Sequence, residues 1–276
     1  MWAFLALLTS ASGTVPPLQL AAMSFLIGGL MGAATWPFRP AALIKLKQQD
    51  WRLWGLGIAS LFGYHFIYFT AIRNAPAVEV SLIAYLWPLF LVVFSAFLPG
   101  EKIEVHHILG VVLGLVGAAL VITRGHGFGF SEGFKLGHVL AFPCAVIWAG
   151  YSVLARRFGH VPTDVVSGFC LAAALLSFLS HLVFEQTTWP QNSAEWLAVA
   201  GLGLLPLGAA FYTWDYGLKH GDIMVLGASS YAAPLLSTLV LLSFGYAQFH
   251  WSIAVACLLI TMGAAVAAKD MIFKKN

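Results

Sequence analysis

Charge is what this chain has least of. Only 9% of its 276 residues are Asp, Glu, Lys or Arg, against 60% hydrophobic residues and a mean hydropathy of +0.87. A soluble domain of this length carries roughly a quarter charged residues to keep its surface wet, which excludes an ordinary cytosolic fold. The net charge of +3 is no nucleic-acid signature, because the basic residues fall in short clusters between apolar runs. Cysteine is scarce too. Cys144, Cys170 and Cys257 stand singly inside apolar stretches, with no CxxC and no His at ligand spacing. They read as small core residues and imply neither a disulfide nor a metal. Asp and Glu are missing altogether from positions 1–49. The motifs of an intramembrane enzyme are also absent: no HExxH, no GxSxG, and no aspartates on facing helices, since Asp215 and Asp222 flank a single turn.

What is there is apolar and periodic. Runs broken by short polar or Gly/Pro stretches give ten segments, at 1–13, 17–36, 53–72, 77–98, 106–123, 137–156, 164–184, 194–217, 222–243 and 251–268. At about 20 residues each, most are long enough to cross a hydrocarbon core of ~30 Å. The first is shorter, and no basic stretch or small-residue cleavage site makes it a signal peptide.

The chain also carries a copy of itself, shifted by a constant 146 residues. Ala71-Ile72-Arg73-Asn74-Ala75 answers Gly217-Leu218-Lys219-His220-Gly221, and Tyr85-Leu86-Trp87-Pro88 answers Tyr231-Ala232-Ala233-Pro234. Gly117-Ala118-Ala119 answers Gly263-Ala264-Ala265, and Trp2-Ala3 answers Trp148-Ala149. One ungapped offset joining Tyr, Pro, Trp, Gly and basic positions predicts two repeats, residues 1–125 and 137–270. The partner of segment one begins about ten residues ahead of Trp148, whereas one residue precedes Trp2, so the front half of helix 1 is expected to be missing.

Orientation follows from Lys and Arg in alternate loops. One side receives Arg39, Lys45, Lys47, Arg52, Lys102, Arg156, Arg157, Lys219, Lys269, Lys274 and Lys275; the other receives Arg73, Arg124 and Lys135. Eleven against three, out of fourteen, makes the termini cytoplasmic. With five helices per half, the second copy enters from the opposite side. The expected fold is therefore an all-α integral membrane protein of ten transmembrane helices, a 5+5 inverted repeat with a truncated helix 1. That is the ground plan of a secondary transporter, with a site at the midplane.

Polar and aromatic residues at membrane depth mark that site. Tyr64 and Tyr68 lie one turn apart on one helical face, with His65 beside them. Tyr85, Trp87 and Pro88 follow in the next segment. Pro88 cannot donate a backbone hydrogen bond, and in lipid such a break belongs against protein or a water-filled cavity. Pro234 repeats the feature after Ser229, Ser230 and Tyr231. Tyr212 and Trp214, with Trp148, Tyr151 and Ser152, complete the set. A single Pro kink is usually structural, but two at repeat-related positions, each three residues after a Tyr, favour a cavity. Trp36, Trp51, Trp54, Trp189, Trp196 and Trp251 read as interfacial belt residues. His65 fits a packing role and a ligand role alike. His181 is a weaker candidate for the site than His65. Glu79 and Asp215 fall near helix ends, where interfacial or capping roles are expected, and Asp222 is placed to cap the helix after it. Gly28 with Gly32, and Gly110 with Gly114, have GxxxG spacing for close helix contact. Gly125-His126-Gly127-Phe128-Gly129 follows no strand and reads as an external loop.

The stretch Val78-Glu79-Val80-Ser81-Leu82-Ile83-Ala84-Tyr85-Leu86-Trp87-Pro88, running on to Gly100-Glu101-Lys102, resembles the drug/metabolite transporter superfamily, specifically its ten-helix group with two EamA domains. Within it the chain looks most like bacterial exporters of aromatic amino acids. The resemblance implies an inner-membrane exporter whose central cavity is formed mainly by helices 1, 3, 4, 6, 8 and 9. Tyr64, His65, Tyr68, Tyr85, Trp87, Pro88, Trp148 and Tyr231 fall where that cavity would be. Small four-helix drug exporters of the superfamily use a helix-1 glutamate for proton antiport, and the segment here has none, which favours facilitated efflux.

The expected substrate is an aromatic or large neutral amino acid, with the lipid bilayer as surroundings, a monomeric chain, and no cofactor. The alternative is a flat organic cation held by cation–π contacts, paraquat-like. A phosphorylated cargo would call for a mid-membrane Lys or Arg pair, which the chain lacks.

Overall fold

The computed structural model describes residues 1–100, 102–126, 133–245 and 248–269, the side chains of Ala41, Ala42 and Val78 excepted. Glu101, Gly127, Phe128, Gly129, Lys274 and Lys275, singled out above, lie outside the described residues. Among those described, every regular element is a helix. After a short 3₁₀ turn at Trp2–Phe4 come α1 (Leu5–Ala11), α2 (Pro17–Ala33), α3 (Pro40–Lys47), α4 (Trp51–Asn74), α5 (Ala77–Ala84), α6 (Trp87–Ser95) and α7 (Val105–Ile122). Then follow α8 (Leu136–Arg157), α9 (Val165–Phe184), α10 (Ser193–Leu204), α11 (Ala210–His220), α12 (Ile223–Ser229), α13 (Ala232–Ser243) and α14 (Trp251–Ala267). Among the described residues, seven helical stretches are long and apolar enough to cross a membrane, accompanied by the shorter apolar ones Trp2–Ala11, Glu79–Ser95 and Trp251–Ala267. The chain is an all-helical membrane protein.

The helix boundaries have local causes. Pro17 opens α2 at a position where its missing N–H is no loss. Asp50 caps α4 by accepting from the Arg52 amide at 2.9 Å, and Asn192 caps α10 through Glu195 at 3.0 Å. Asp222 caps α12, as expected, accepting from Met224 and Val225. Trp51, Trp189, Trp196 and Trp251 are exposed, as interfacial residues should be, while Trp36 and Trp54 are half-buried.

Three departures from the sequence reading have plain reasons. The stretch taken as loop after Trp36 contains α3, a short helix begun by Pro40 and ended by Lys45 and Lys47 beside its C-terminal carbonyls. The 194–217 segment is not one regular helix: Pro206 interrupts it with a π-helical turn, Leu205–Ala209, between α10 and α11. Cys257 is exposed rather than a core residue, unlike Cys144 and Cys170.

Two apolar segments are broken at matching places. The first half breaks at Tyr85-Leu86, between α5 and α6, and the second at Ser230-Tyr231, between α12 and α13. Each break is a tight turn satisfied locally. Tyr85 N–H donates to the Ser81 carbonyl at 2.8 Å and Leu86 N–H to Ile83 at 3.1 Å; Ser230 N–H donates to Leu226 at 3.1 Å and Tyr231 N–H to Ala228 at 3.3 Å. The Ser230 carbonyl, one turn ahead of Pro234, is taken by the Ala233 N–H at 3.0 Å. Proline here bends the segment without leaving that carbonyl orphaned.

Glycines let helices touch backbone to backbone. A Cβ on Gly110 of α7 would sit 2.6 Å from the Gly263 carbonyl of α14, and one on Gly263 would sit 2.6 Å from the Gly110 carbonyl. A Cβ on Gly117 would come 3.2 Å from the Ala256 carbonyl. Adding 146 turns Gly110 into Ala256 and Gly117 into Gly263, so the two contacts exchange when the repeats are exchanged. α2 and α9, which also correspond at that offset, pack along one another in the same way. Gly28 faces the π-helical turn, where a Cβ would lie 2.6 Å from the Leu207 carbonyl, and Gly32 faces Ser167 and Tyr212. Both GxxxG spacings are thus close-approach sites.

Candidate functional site

α4, the α5–α6 break, α8 and α11 converge with the chain's first turn on one aromatic cluster. Its floor is four indoles. The Trp2 ring centroid lies 5.4 Å from Trp214, 6.1 Å from Trp148 and 6.5 Å from Trp87. Trp87 is 5.5 Å from Trp214 and 6.4 Å from Trp148, nearly perpendicular to both. Edge-to-face geometry of this kind sets the positive ring edge against the negative face of its neighbour. Two of the indoles are fixed by their N–H groups: Trp214 Nε1 donates to Ser152 Oγ at 3.1 Å, and Trp2 Nε1 donates to the Pro206 carbonyl at 3.1 Å. The second bond explains the use of the π-helical turn, which turns a carbonyl out of the helix toward the cluster.

A half-buried wall rises from that floor on α4. Tyr64 stacks on Tyr68 at 5.9 Å with rings 6° apart and touches Trp148 at 5.9 Å. The Tyr68 hydroxyl shares a 3.0 Å hydrogen bond with Ser81 Oγ of α5. His65 Nδ1 lies 2.7 Å from the Leu61 carbonyl, which can only accept, so Nδ1 donates and Nε2 is left without a hydrogen-bond partner among the described residues. Phe25 at 4.9 Å and Phe211 at 6.3 Å flank the imidazole. Trp87, Trp148, Tyr151 and Trp214 are buried, whereas Tyr64, His65, Tyr68 and Tyr85 are half-buried.

The structure thus brings together Tyr64, His65, Tyr68, Trp87, Trp148, Tyr151 and Trp214. Tyr85 sits at the break, half-buried against the same core. Pro88 is buried where α6 crosses α12 at Gly227. Other expected residues lie apart. Tyr212 donates to the Gly28 carbonyl at 2.9 Å and meets Ser167 Oγ at 2.9 Å, in the seam of α2 and α9. Ser230 Oγ bonds back to the Leu226 carbonyl at 2.6 Å. Tyr231 is fully buried against Gly114 of α7, and Pro234 is buried in the first turn of α13. Trp2, Phe25 and Phe211 escaped the sequence reading. The offset could have found two of them, since Trp2 corresponds to Trp148 and Phe211 to His65.

Several of the charged residues at the ends of the bundle are paired. His138 Nε2 is 2.7 Å from Glu79, and His138 Nδ1 accepts the Lys135 amide at 2.9 Å. Lys219 Nζ is 2.6 Å from Asp215, which also accepts from Thr163 at 2.7 Å. Arg39 pairs with Asp164. Glu79 and Asp215 are therefore buried pair members rather than simple interfacial residues. His181 is not isolated either: its ring nitrogens meet Glu185 at 3.0 Å and Thr187 at 2.9 Å. The cation–ring contact of Arg52 with Trp51, at 5.8 Å, lies away from the cluster.

Family and relatives alike make this helical membrane protein a transport protein, not an enzyme. The chain belongs to the EamA-like transporter family, which it matches over residues 1–123 and 135–268. It is 52% identical over 268 residues, 97% of this chain and 93% of the relative, to a protein of Ancylobacter novellus named aromatic amino acid exporter YddG. A protein of Salmonella typhimurium with the same name is 26% identical over 174 residues, 61% of this chain and 59% of the relative. A solved crystal structure 50% identical in sequence superposes with a TM-score of 0.90, covering 97% of this chain and 93% of that one.

The Nε2 atom, unpartnered among the described residues, gives His65 a testable role. His65→Gln, which keeps polar atoms at similar reach, is expected to retain more transport than His65→Ala, by about tenfold for one hydrogen bond. Initial rates in proteoliposomes measure this. Equal, wild-type rates for both would make His65 a packing residue.

Proposed function

We infer that this protein exports aromatic and large neutral amino acids across the bacterial inner membrane. The observation that carries the reading is the floor of four touching indoles beneath a half-buried Tyr64–His65–Tyr68 wall, without a formal charge among them. Such a surface stacks a planar side chain, while His65 and the tyrosine hydroxyls offer hydrogen bonds to a zwitterion. The Ancylobacter and Salmonella relatives support the same cargo.

In this reading the chain is a monomer of ten transmembrane helices, residues 1–125 and 137–270 forming two inverted five-helix halves. Its termini are cytoplasmic, so the Arg156–Lys219 end faces the cell interior. Tyr85, Pro88, Tyr212, Ser230, Tyr231 and Pro234 belong to the elements that move around the cluster. Alternating access comes from the halves exchanging conformations, and substrate runs down its own gradient without a coupling ion. The rival cargo, a flat organic cation, draws on the same ring faces through cation–π attraction.

Uptake of radiolabelled phenylalanine against a quaternary ammonium dye in proteoliposomes separates the two. Phenylalanine transport without dye transport is the expected result, and the reverse would overturn the reading. Trp87→Ala adds a second check. It should lower phenylalanine transport roughly two- to tenfold more than alanine transport, because ring stacking contributes about 0.5–1.5 kcal/mol beyond area burial. Equal loss for both substrates would leave Trp87 a structural residue.

A further inference from the structure

The two ends of the bundle are held differently. At one end, the last turn of α8 is fastened to the last turn of α11. Arg156 NH1 donates to the Leu218 carbonyl at 2.9 Å and to the Gly221 carbonyl at 2.6 Å, completing the C-terminal carbonyls of a helix with a cation. Ser152 of α8 receives Trp214 of α11, and the α8–α9 connection reaches the same helix through Thr163 to Asp215 and Lys219 to the Val161 carbonyl at 3.0 Å.

The repeat offset gives each of these residues a counterpart at the opposite end. Arg156 becomes Ser10, Ser152 becomes Ala6, Asp215 becomes Phe69, and Thr163 becomes Pro17. Trp214 becomes Tyr68, while Leu218 and Gly221 become Ile72 and Ala75. α8 packs on α11, but α1 does not pack comparably on α4. Among the described residues, no hydrogen bond joins residues 6–17 to 68–75. Arg73, the counterpart of Lys219, pairs with Glu185, which also accepts the Leu18 and Gln19 amides, so the outer end of α4 is tied to α2 while its contact with α1 has no such bond among the described residues.

We propose that Arg156 is the latch of an inner gate, and that its replacement by Ser10 at the symmetry-related position leaves the outer gate unlatched. The empty transporter consequently rests closed toward the cell interior and open outward. Inward opening requires Arg156 to release the Leu218 and Gly221 carbonyls. Outer closure then brings Ser10 of α1 against the Ile72–Ala75 turn, the mirror of the contact made by Arg156. Arg156 is a positioning residue here, since it acts on gate helices and not on substrate. The inference rests on the alternating-access reading above, and identifies which residues set its resting bias.

Paired spin labels read both gates at once. In a background with Cys144, Cys170 and Cys257 replaced by Ala, His160→Cys with His220→Cys reports the inner end. Thr14→Cys with Asn74→Cys, at the corresponding exposed positions, reports the outer end. Without substrate, the parent should give a short, narrow inner distance and a longer outer one. Arg156→Ala should add a longer inner and a shorter outer population, moving their ratio by on the order of tenfold, as loss of a charge-assisted hydrogen bond implies. Arg156→Lys, which retains three donors, should restore most of the parent distribution. Ser10→Arg, a substitution at an exposed position, should shift the ratio the same way by giving the outer gate its own latch. Unchanged distributions in Arg156→Ala overturn the proposal. If that variant does not fold, unchanged distributions in Ser10→Arg overturn it. Phenylalanine export measured alongside separates the two readings. Distances that respond in a protein unable to export phenylalanine sink the substrate alone, and distances that stay fixed in an exporting protein sink the latch alone.

Discussion

Glu185→Ala is expected to destabilise the folded protein by about 2–6 kcal/mol, the cost of leaving two buried amides without an acceptor at about 1–3 kcal/mol each. The carboxylate side chain is 2% exposed and serves four partners. It accepts the Leu18 amide on both oxygens at 3.1 Å and the Gln19 amide at 3.1 Å, which caps α2 from outside its own sequence. It also takes Arg73 at 2.5 Å and His181 at 3.0 Å. Truncation strands two amides of the first turn of α2 in a buried site, where each loses its full desolvation compensation. Glu185→Gln should fall between, because one acceptor oxygen becomes a donor pointing at donors. Thermal unfolding in detergent followed by tryptophan fluorescence measures the order wild type, Gln, Ala. A melting temperature for Glu185→Ala within about 2–3 °C of wild type would remove the cluster's structural role.

Gly263→Val should be worse still, with loss of folded protein as the expected outcome. A Cβ at this position is 2.6 Å from the Gly110 carbonyl and 3.0 Å from the Gly114 amide nitrogen. These are backbone atoms of a neighbouring helix, so no rotamer change relieves the clash. Separating α7 from α14 removes packing along their whole length, and van der Waals contact is what associates helices in lipid. It also disturbs the site indirectly, because Tyr231 lies on Gly114 in the same seam. Gly55→Val, where a Cβ meets nothing within 4 Å, is the control. The test is the monodisperse fraction after membrane extraction. A Gly263→Val protein that elutes as wild type would show the seam to be looser than its geometry.

Much of the architecture was legible because membrane helices announce themselves by apolar length, and because the repeat offset fixes landmarks independently of hydropathy. The breaks at Tyr85 and Ser230 follow from Pro88 and Pro234, whose missing N–H groups disfavour a continuous helix. The π-helical turn was not legible, since Pro206 has no proline partner 146 residues earlier and α4 runs on there uninterrupted. In the site, Tyr64, His65, Tyr68, Trp87 and Trp148 stood out by chemical type at mid-helix. Phe25 and Phe211 did not, because a phenylalanine among apolar residues gives no contrast until its ring neighbours are known. His181 is a different case: Glu185 stands at the i,i+4 spacing that the sequence does show, whereas Thr187 lies past the helix end and meets the imidazole only in the fold.

The seam between α7 and α14 carries a consequence for ancestry and assembly. A contact set that maps onto itself when the halves trade places is self-complementary, the property of a homodimer interface around a two-fold axis. A free-standing half with this face has a surface complementary to a second copy of itself, an interface that two fused repeats inherit. Residues 1–125 and 137–270, produced as separate polypeptides in one cell, should find each other through it and co-purify.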